Sequence, residues 1–250
     1  MSIASPRPAV PAVNGVPLLV NGDRMKQPEF HRRYEAYPGN EKFELVGGIV
    51  YMTSPLRRPH GTLHPKLSLA FTLYEAGTPG VETLDSATTI LGEESEPQPD
   101  LSLRILPEYG GQSRETAEQY IEGPPELVAE VAHSSEALDL HLKRTDYERA
   151  GVREYLVVLI AQRQLRWFDF GSKREIKPDR EGVWKSRAFP GLWVDGKALL
   201  EGNGPRLIEV VQQGLASRAH AAFVKRLGAA RRKHRRGQGK IGPGVDTPGY

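Results

Sequence analysis

Three side chains in the middle of this 250-residue chain have the types and spacing for hydrolytic chemistry at a metal ion. Asp100 follows Pro99 at the head of an alternating run, Leu101, Leu103 and Ile105. About thirty residues later Glu130 stands inside Leu127-Val128-Ala129-Glu130-Val131-Ala132, and Lys143 comes after it. A carboxylate among apolar neighbours either gives up its charge or finds a cation, because burying it ionised and unpaired costs several kcal/mol. That cation could be a basic side chain, making a structural salt bridge, or a metal. Two acids on neighbouring strands can share one Mg²⁺, which takes few carboxylate oxygens and keeps its other positions for water and phosphate. Such an ion polarises a phosphate and lowers the pKa of a bound water, while a nearby lysine steadies the hydroxide or the developing charge. Lys143 also has a plainer reading. It follows Asp139 by four residues, the favoured order for a surface helical ion pair worth about 0.2–0.5 kcal/mol.

These residues need a scaffold, and the pattern around them predicts one. The turn signal Gly123-Pro124-Pro125 precedes an apolar run in which alternation puts Val128, Glu130 and Ala132 on one face. Ser134 or Ser135 can cap the helix that follows, Leu138 and Leu142 are four apart, and Gly151 supplies its stop. The stretch Arg153 to Ile160 is apolar nearly throughout and reads as a second strand. Strand, helix and strand make a crossover whose strands should be parallel and covered on both faces. Upstream, Pro28 to Tyr37 predicts a short helix. Lys42 to Val46 and Ile49 to Met52 predict a hairpin about Gly47-Gly48, with Glu44 on the face opposite Phe43 and Leu45. Glu44 there reads either as a solvated strand position or as an additional acid.

From Pro59 to Gly77 the spacing of Leu63, Leu67, Ala70, Phe71 and Tyr74 predicts a helix, with His60 at its start as a cap or surface group and His64 as surface. Residues 80 to 92 read as two strands about Asp85-Ser86, and 107 to 122 as a polar connection with a short helix at Glu115 to Ile121. Beyond Ile160 a hairpin and further strands are expected to Trp184, then one helical turn at Asp195 to Leu200. A helix from Arg206 should follow, with a break at Gly214.

Both ends differ from the body. Residues 1 to 24 are rich in Pro, Ala, Val and Gly, and 228 to 250 in Gly, Pro and basic residues, so both are expected to be disordered extensions flanking one domain over 25 to 227. The net charge of +3 is unevenly placed. Lys225, Arg226, Arg231, Arg232, Lys233, Arg235, Arg236 and Lys240 have no acid among them, and setting those eight aside from the 34 Lys and Arg leaves 26 against 31 acids, net −5. A run like this contacts nucleic acid or an acidic surface, or is a solvated tail. The absence of cysteine excludes disulfides and thiolate metal sites. No signal-peptide-like apolar block is seen, and the longest apolar run, Tyr155 to Ala161, is too short to span a membrane, so a cytoplasmic protein is expected. The apolar stripe of 206 to 227 could serve a homodimer or the chain's own core equally.

Taken together, Phe43-Glu44-Leu45-Val46-Gly47-Gly48, His60, Pro99-Asp100, Glu130-Val131, Asp139, Lys143, Tyr147, Gly151-Val152-Arg153-Glu154-Tyr155 and Phe189-Pro190-Gly191-Leu192-Trp193 resemble the Uma-type restriction endonuclease family of the PD-(D/E)XK nuclease superfamily. The resemblance covers about Phe30 to Leu227. It implies an α/β (α+β) restriction-endonuclease-like core with a central mixed β-sheet flanked by helices. It also implies an active site of Asp100, Glu130 and a lysine that binds Mg²⁺ or Mn²⁺ and cuts DNA. The superfamily's lysine would fall at Ala132, so Lys143 on the next helix is its substitute. Glu44 is then an additional acid in the site, and His60 a phosphate or metal contact. Arg231, Arg232, Lys233, Arg235 and Arg236 are expected to touch nucleic acid. A different class of function, a binding module for nucleic acid or a partner that keeps the fold without turnover, would share all but the metal.

Overall fold

Between residues 127 and 159 strand, helix and strand form the expected parallel crossover, and the rest of the chain is laid around it. The computed structural model describes residues 12–13, 15–133 and 135–238. Two short strands, β1 (Ala12–Val13) and β2 (Val16–Pro17), precede helix α1 (Gln27–Glu35) and the hairpin β3 (Phe43–Val46) and β4 (Ile49–Met52). Helix α2 (Arg58–Ala76) leads to β5 (Val81–Asp85), β6 (Thr89–Ile90) and β7 (Leu101–Ile105). A 3-10 turn at Pro107–Tyr109 and strands β8 (Arg114–Glu115) and β9 (Ile121–Glu122) connect to β10 (Leu127–Ala132). A π-helical turn, Leu138–Lys143, runs directly into α3 (Arg144–Ala150). Strands β11 (Glu154–Leu159), β12 (Gln164–Asp169), β13 (Arg174–Ile176), β14 (Val183–Lys185) and β15 (Trp193–Asp195) follow, and helices α4 (Gly196–Glu201), α5 (Gly204–Leu215) and α6 (Arg218–Gln238) close the described chain.

The main sheet has six strands in the order β13-β12-β11-β10-β7-β5. Only β10 and β11 run parallel within it, so the sheet is mixed and the fold is α/β, as expected. Alternation splits the two central strands between two apolar layers. Leu127, Ala129 and Val131 of β10, with Leu156 and Val158 of β11, pack on Leu67, Phe71 and Tyr74 of α2 and on Leu207 and Val211 of α5. Val128 and Ala132, with Tyr155 and Val157, face Tyr147 of α3 on the other side. Each large apolar side chain withdrawn from water in this way stabilises the fold by roughly 1.5–3 kcal/mol. Gly151 ends α3 in the left-handed region at φ 95°, the stop read from its sequence.

Four expectations are corrected. The N-terminal extension is not loose throughout: Leu19 is buried with Phe30, Phe43, Leu45 and Val50. The adjoining stretch is held there by the Gly22 N–H to Val50 O (2.8 Å) and Val50 N–H to Asp23 O (2.9 Å) bonds; residues 1–11 lie outside the described residues. The basic segment from 228 is helical to Gln238, because Phe223 and Leu227 anchor the same helix on the core and propagation from an anchored helix is easy; residues 239–250, with Lys240, are not described. The helix expected at 115–121 is instead a loop between β8 and β9, closed by the Thr116 N–H to Tyr120 O bond (2.8 Å) with Gln119 at φ 68°. Gly214 does not break the C-terminal helix there. It lies within α5, where a Cβ would come 2.1 Å from the Gly191 carbonyl oxygen, so the glycine is demanded by close packing and the boundary falls after Leu215.

Candidate active site

Register places the two carboxylates. β7 pairs antiparallel with β10 so that Leu101 faces Ala129, which sets Asp100, just before β7, beside Glu130. Each acid then caps the other's strand. Val131 N–H donates to Asp100 Oδ2 at 2.7 Å, and Asp100 N–H donates to Glu130 Oε2 at 3.3 Å.

The crossover brings the cation. After β10 the chain turns back through the π-helical turn, whose position Tyr155 fixes by donating its hydroxyl to the Asp139 carbonyl at 3.1 Å. Lys143 and Tyr147, one turn apart on that face, both reach Glu130: Lys143 Nζ and the Tyr147 hydroxyl each donate to Oε1 at 3.0 Å. The hairpin supplies the last acid. Lys143 Nζ lies 3.0 Å from Glu44 Oε1 and 2.9 Å from Oε2, and the Gln98 N–H donates to Glu44 Oε1 at 2.7 Å. Asp139 Oδ1 is 3.8 Å from the same ammonium, and Asp139 Oδ2 accepts from the Ser135 hydroxyl at 2.6 Å. The Asp139–Lys143 pair read as a surface contact is therefore buried, and Glu44 is a buried member of the cluster and no solvated strand position.

His60 Nε2 stands 3.1 Å from Asp100 Oδ2, and His64, expected at the surface, sits on the same helical face with its Nε2 3.0 Å from the Asp100 carbonyl. A carbonyl only accepts, so His64 carries its hydrogen on Nε2. The two rings stack with centroids 5.4 Å apart. Spacing of four on one helix, with Asp100 at a strand head, is the sequence signal that pairs them. The Gln98 contact to Glu44 has no such signal, since a loop backbone group carries no side-chain pattern.

Three carboxylates, Glu44, Glu130 and Asp139, thus surround one ammonium, and a fourth, Asp100, stands beside Glu130. Their side chains are 5, 6, 3 and 22 % exposed, so Asp100 is the one that solvent and a substrate can reach. Burial pushes Glu130 well above the ordinary carboxylate range, and its acidic neighbours add to this although Lys143 pulls it back. Burial likewise raises Asp139, to about 6, against the pull of Lys143 and the Ser135 hydroxyl. At Asp100 burial works in the same sense, but the His60 bond, the Val131 N–H and the Lys143 charge outweigh it and hold the carboxyl below its usual value. Burial would lower Lys143, yet Glu130, Glu44 and Asp139 together raise it well above an ordinary lysine. The cluster carries more negative charge than its own cation can offset.

Among the described residues no group of three or more His, Cys, Asp or Glu side chains is arranged to hold a metal by itself. The donor chemistry fits an ion that asks for less. Asp100 and Glu130 are adjacent carboxylates whose oxygens could serve a cation that keeps most of its waters, although both Glu130 oxygens already accept hydrogen bonds from the protein. A cleft of about 460 Å³ lined by His31, Glu96, Gln98 and Tyr120, among others, adjoins this cluster through Gln98. The basic residues Arg231, Arg232, Lys233, Arg235 and Arg236 are exposed on α6, which packs against the turn following β7, at the other end of that strand from Asp100. No helix among the described residues is long and apolar enough to cross a membrane.

Tyr147 tests how tightly the cluster is balanced. Tyr147→Phe leaves Glu130 Oε1 with Lys143 as its remaining donor, and should destabilise the protein by about 1 kcal/mol in urea unfolding at neutral pH. Unchanged stability would mean that the hydroxyl does not help hold Glu130.

Comparison with known proteins gives three findings. Residues 28–199 match the family model Uma2, described as "Putative restriction endonuclease". A solved structure from Anabaena variabilis, described as "a putative nuclease belonging to DUF820", superposes with a TM-score of 0.53 at 11% sequence identity, over 68% of this chain and 97% of that one. None of the curated proteins matches the chain.

Proposed function

Because the chain belongs to the Uma2 family, in agreement with the PD-(D/E)XK nuclease superfamily, we propose that it is a metal-dependent endonuclease that hydrolyses phosphodiester bonds in DNA. The observation that carries this reading is the Lys143 ammonium 3.0 Å from Glu130, beside a partly exposed Asp100, within a cluster of carboxylates that it cannot neutralise alone. Asp100 and Glu130 would hold Mg²⁺ or Mn²⁺. When bound, the ion polarises the phosphate and makes hydroxide available near neutral pH.

The chain's own side chains do the rest. Lys143 faces Glu130, where its charge can steady an attacking oxygen and the negative charge that develops on phosphorus. Glu44 positions that ammonium from below. His60 orients Asp100 through Oδ2, leaving Oδ1 for a ligand, and His64 fixes the Asp100 backbone. A binding module without turnover, the other class open to this fold, gains nothing from carboxylates crowded at such a cost in desolvation.

Supercoiled plasmid is the direct substrate. Wild-type protein with Mg²⁺ or Mn²⁺ should nick or linearise it, EDTA should stop the reaction, and Glu130→Gln should show no cleavage above background. Intact plasmid and intact single-stranded DNA with both metals, from protein that binds those metals, would refute the assignment.

A further inference from the structure

The far end of the molecule carries a feature that the cleavage site does not use. α6 is tied to the core by Phe223 and Leu227, and Ala230 lies against Gly110, where a Cβ on the glycine would be 3.6 Å from the alanine Cβ. From there the helix leaves the body: residues 231–237 are all exposed. Arg231, Arg232, Lys233, His234, Arg235 and Arg236 follow one another, and no acid occurs anywhere in the helix. Among the described residues none of the arginines or the lysine in this run makes an ion pair, although Arg231 stacks over Tyr109 at 5.1 Å. Like charges four apart, Arg231 with Arg235 and Arg232 with Arg236, oppose the helix. An anionic partner would remove that opposition.

The partner's chemistry follows from what the helix lacks. A membrane-surface helix needs an apolar face, and 231–237 has none. A rod of cations suits a phosphate backbone. An α-helix enters the major groove of B-DNA, whereas the A-form major groove of duplex RNA is too narrow and deep for side chains to read. We propose that residues 231–236 of α6 anchor duplex DNA by its phosphates, at the end of β7 opposite Asp100. The choice of DNA rests on the nuclease reading above, but the anchoring itself does not require cleavage. Tyr109 follows β7 while Asp100 precedes it, so the strand alone puts roughly 16 Å, at ~3.3 Å per residue, between the anchor and Asp100. That spacing corresponds to at least about five base pairs of duplex at ~3.4 Å each.

Binding of the full chain in EDTA to a labelled duplex several helical turns long, followed by anisotropy across a salt series, tests this without any cleavage. The triple variant Arg232→Gln, Arg235→Gln, Arg236→Gln should flatten the slope of log affinity against log salt by up to about 2.7, near 0.9 for each phosphate that is no longer neutralised. The charge-conserving triple, each arginine to lysine, should keep the slope, and both variants should melt at the wild-type temperature because the residues are exposed. An unchanged slope in the glutamine triple would overturn the proposal. So would tighter binding to duplex RNA, or to phosphatidylserine vesicles, than to DNA. A flattened slope in a protein that cuts nothing would leave the anchor standing and remove the nuclease reading; cleavage with an unchanged slope would do the reverse.

Discussion

Lys143→Met will abolish DNA cleavage and lower stability by about 3–5 kcal/mol at neutral pH, the range for breaking a buried ion pair by removing one partner. Methionine keeps the length of the stem while deleting the charge, so the loss is electrostatic and not a cavity. The variant leaves Glu44, Glu130 and Asp139 buried around an apolar group, where wild type has an ammonium within 3.0 Å of two of them. The pH dependence gives the cause away. Asp139, at about 6, and Glu130, also above its ordinary value, both hold their protons more tightly folded than unfolded, and removal of the cation pushes both higher still. A carboxyl raised in this way costs nothing below about pH 4, where it is protonated in both states, and its cost grows as pH climbs towards the folded value. Equilibrium unfolding should therefore show a wide gap between variant and wild type at pH 7 that narrows towards pH 4, while cleavage stays absent. Adding Ala132→Lys, on the same strand face as Glu130, should return part of the activity. Full cleavage by Lys143→Met would end the role proposed for the ammonium.

The second large effect belongs to Asp100. Asp100→Asn should weaken Mg²⁺ and Mn²⁺ binding by roughly 100-fold or more, since even removing a group that merely supports a ligand costs a metal site about 10–100-fold. Stability should change little, because the asparagine can keep an oxygen towards the Val131 N–H that Asp100 accepts at 2.7 Å. Metal binding in wild type should also release protons. Asp139 is near half-protonated at its value of about 6, and a nearby cation favours the ionised form, so affinity should rise as pH climbs from 5 to 7. Calorimetry at pH 6 in two buffers of different ionisation enthalpy would register roughly half a proton from Asp139 alone. Metal affinity that is equal in Asp100→Asn, or flat across this pH range, would place the ion elsewhere.

Much of this arrangement is legible in the sequence wherever it rests on periodicity. Alternation in 101–105 and 127–132, the glycine stop at Gly151 and the apolar run of 154–159 each act locally, and each of these elements is present. The Asp100 and Glu130 adjacency follows from their places on two strands, and the descent of Lys143 onto Glu130 from the return of the helix over the sheet. What escapes the sequence is set by tertiary contact. Glu44 alternates like any solvated residue, and only the docking of the hairpin against the Gln98 loop buries it. His64 looks like surface until the strand head of β7 passes beneath α2. The basic tail reads as disordered by composition, because the anchoring of α6 through Phe223 and Leu227 lies upstream of the biased segment.

The separation of the site residues along the chain bears on the order in which the molecule assembles. Lys143 and Glu44 are 99 residues apart, His60 and Asp100 40, and Asp100 and Glu130 30. Loop closure opposes each of these contacts before any reward is received, so contacts between distant residues wait for nearer ones to shorten the effective loop. The crossover, with Lys143 only 13 residues from Glu130, is expected to deliver the cation early and locally. The hairpin carrying Glu44 has its own small apolar cluster and, with the longest sequence separation, is expected to dock last, onto a lysine already in place. On that order only the repulsion added by Glu44 waits for the hairpin to dock, because Asp100, Glu130 and Asp139 already meet when β7, β10 and the crossover assemble.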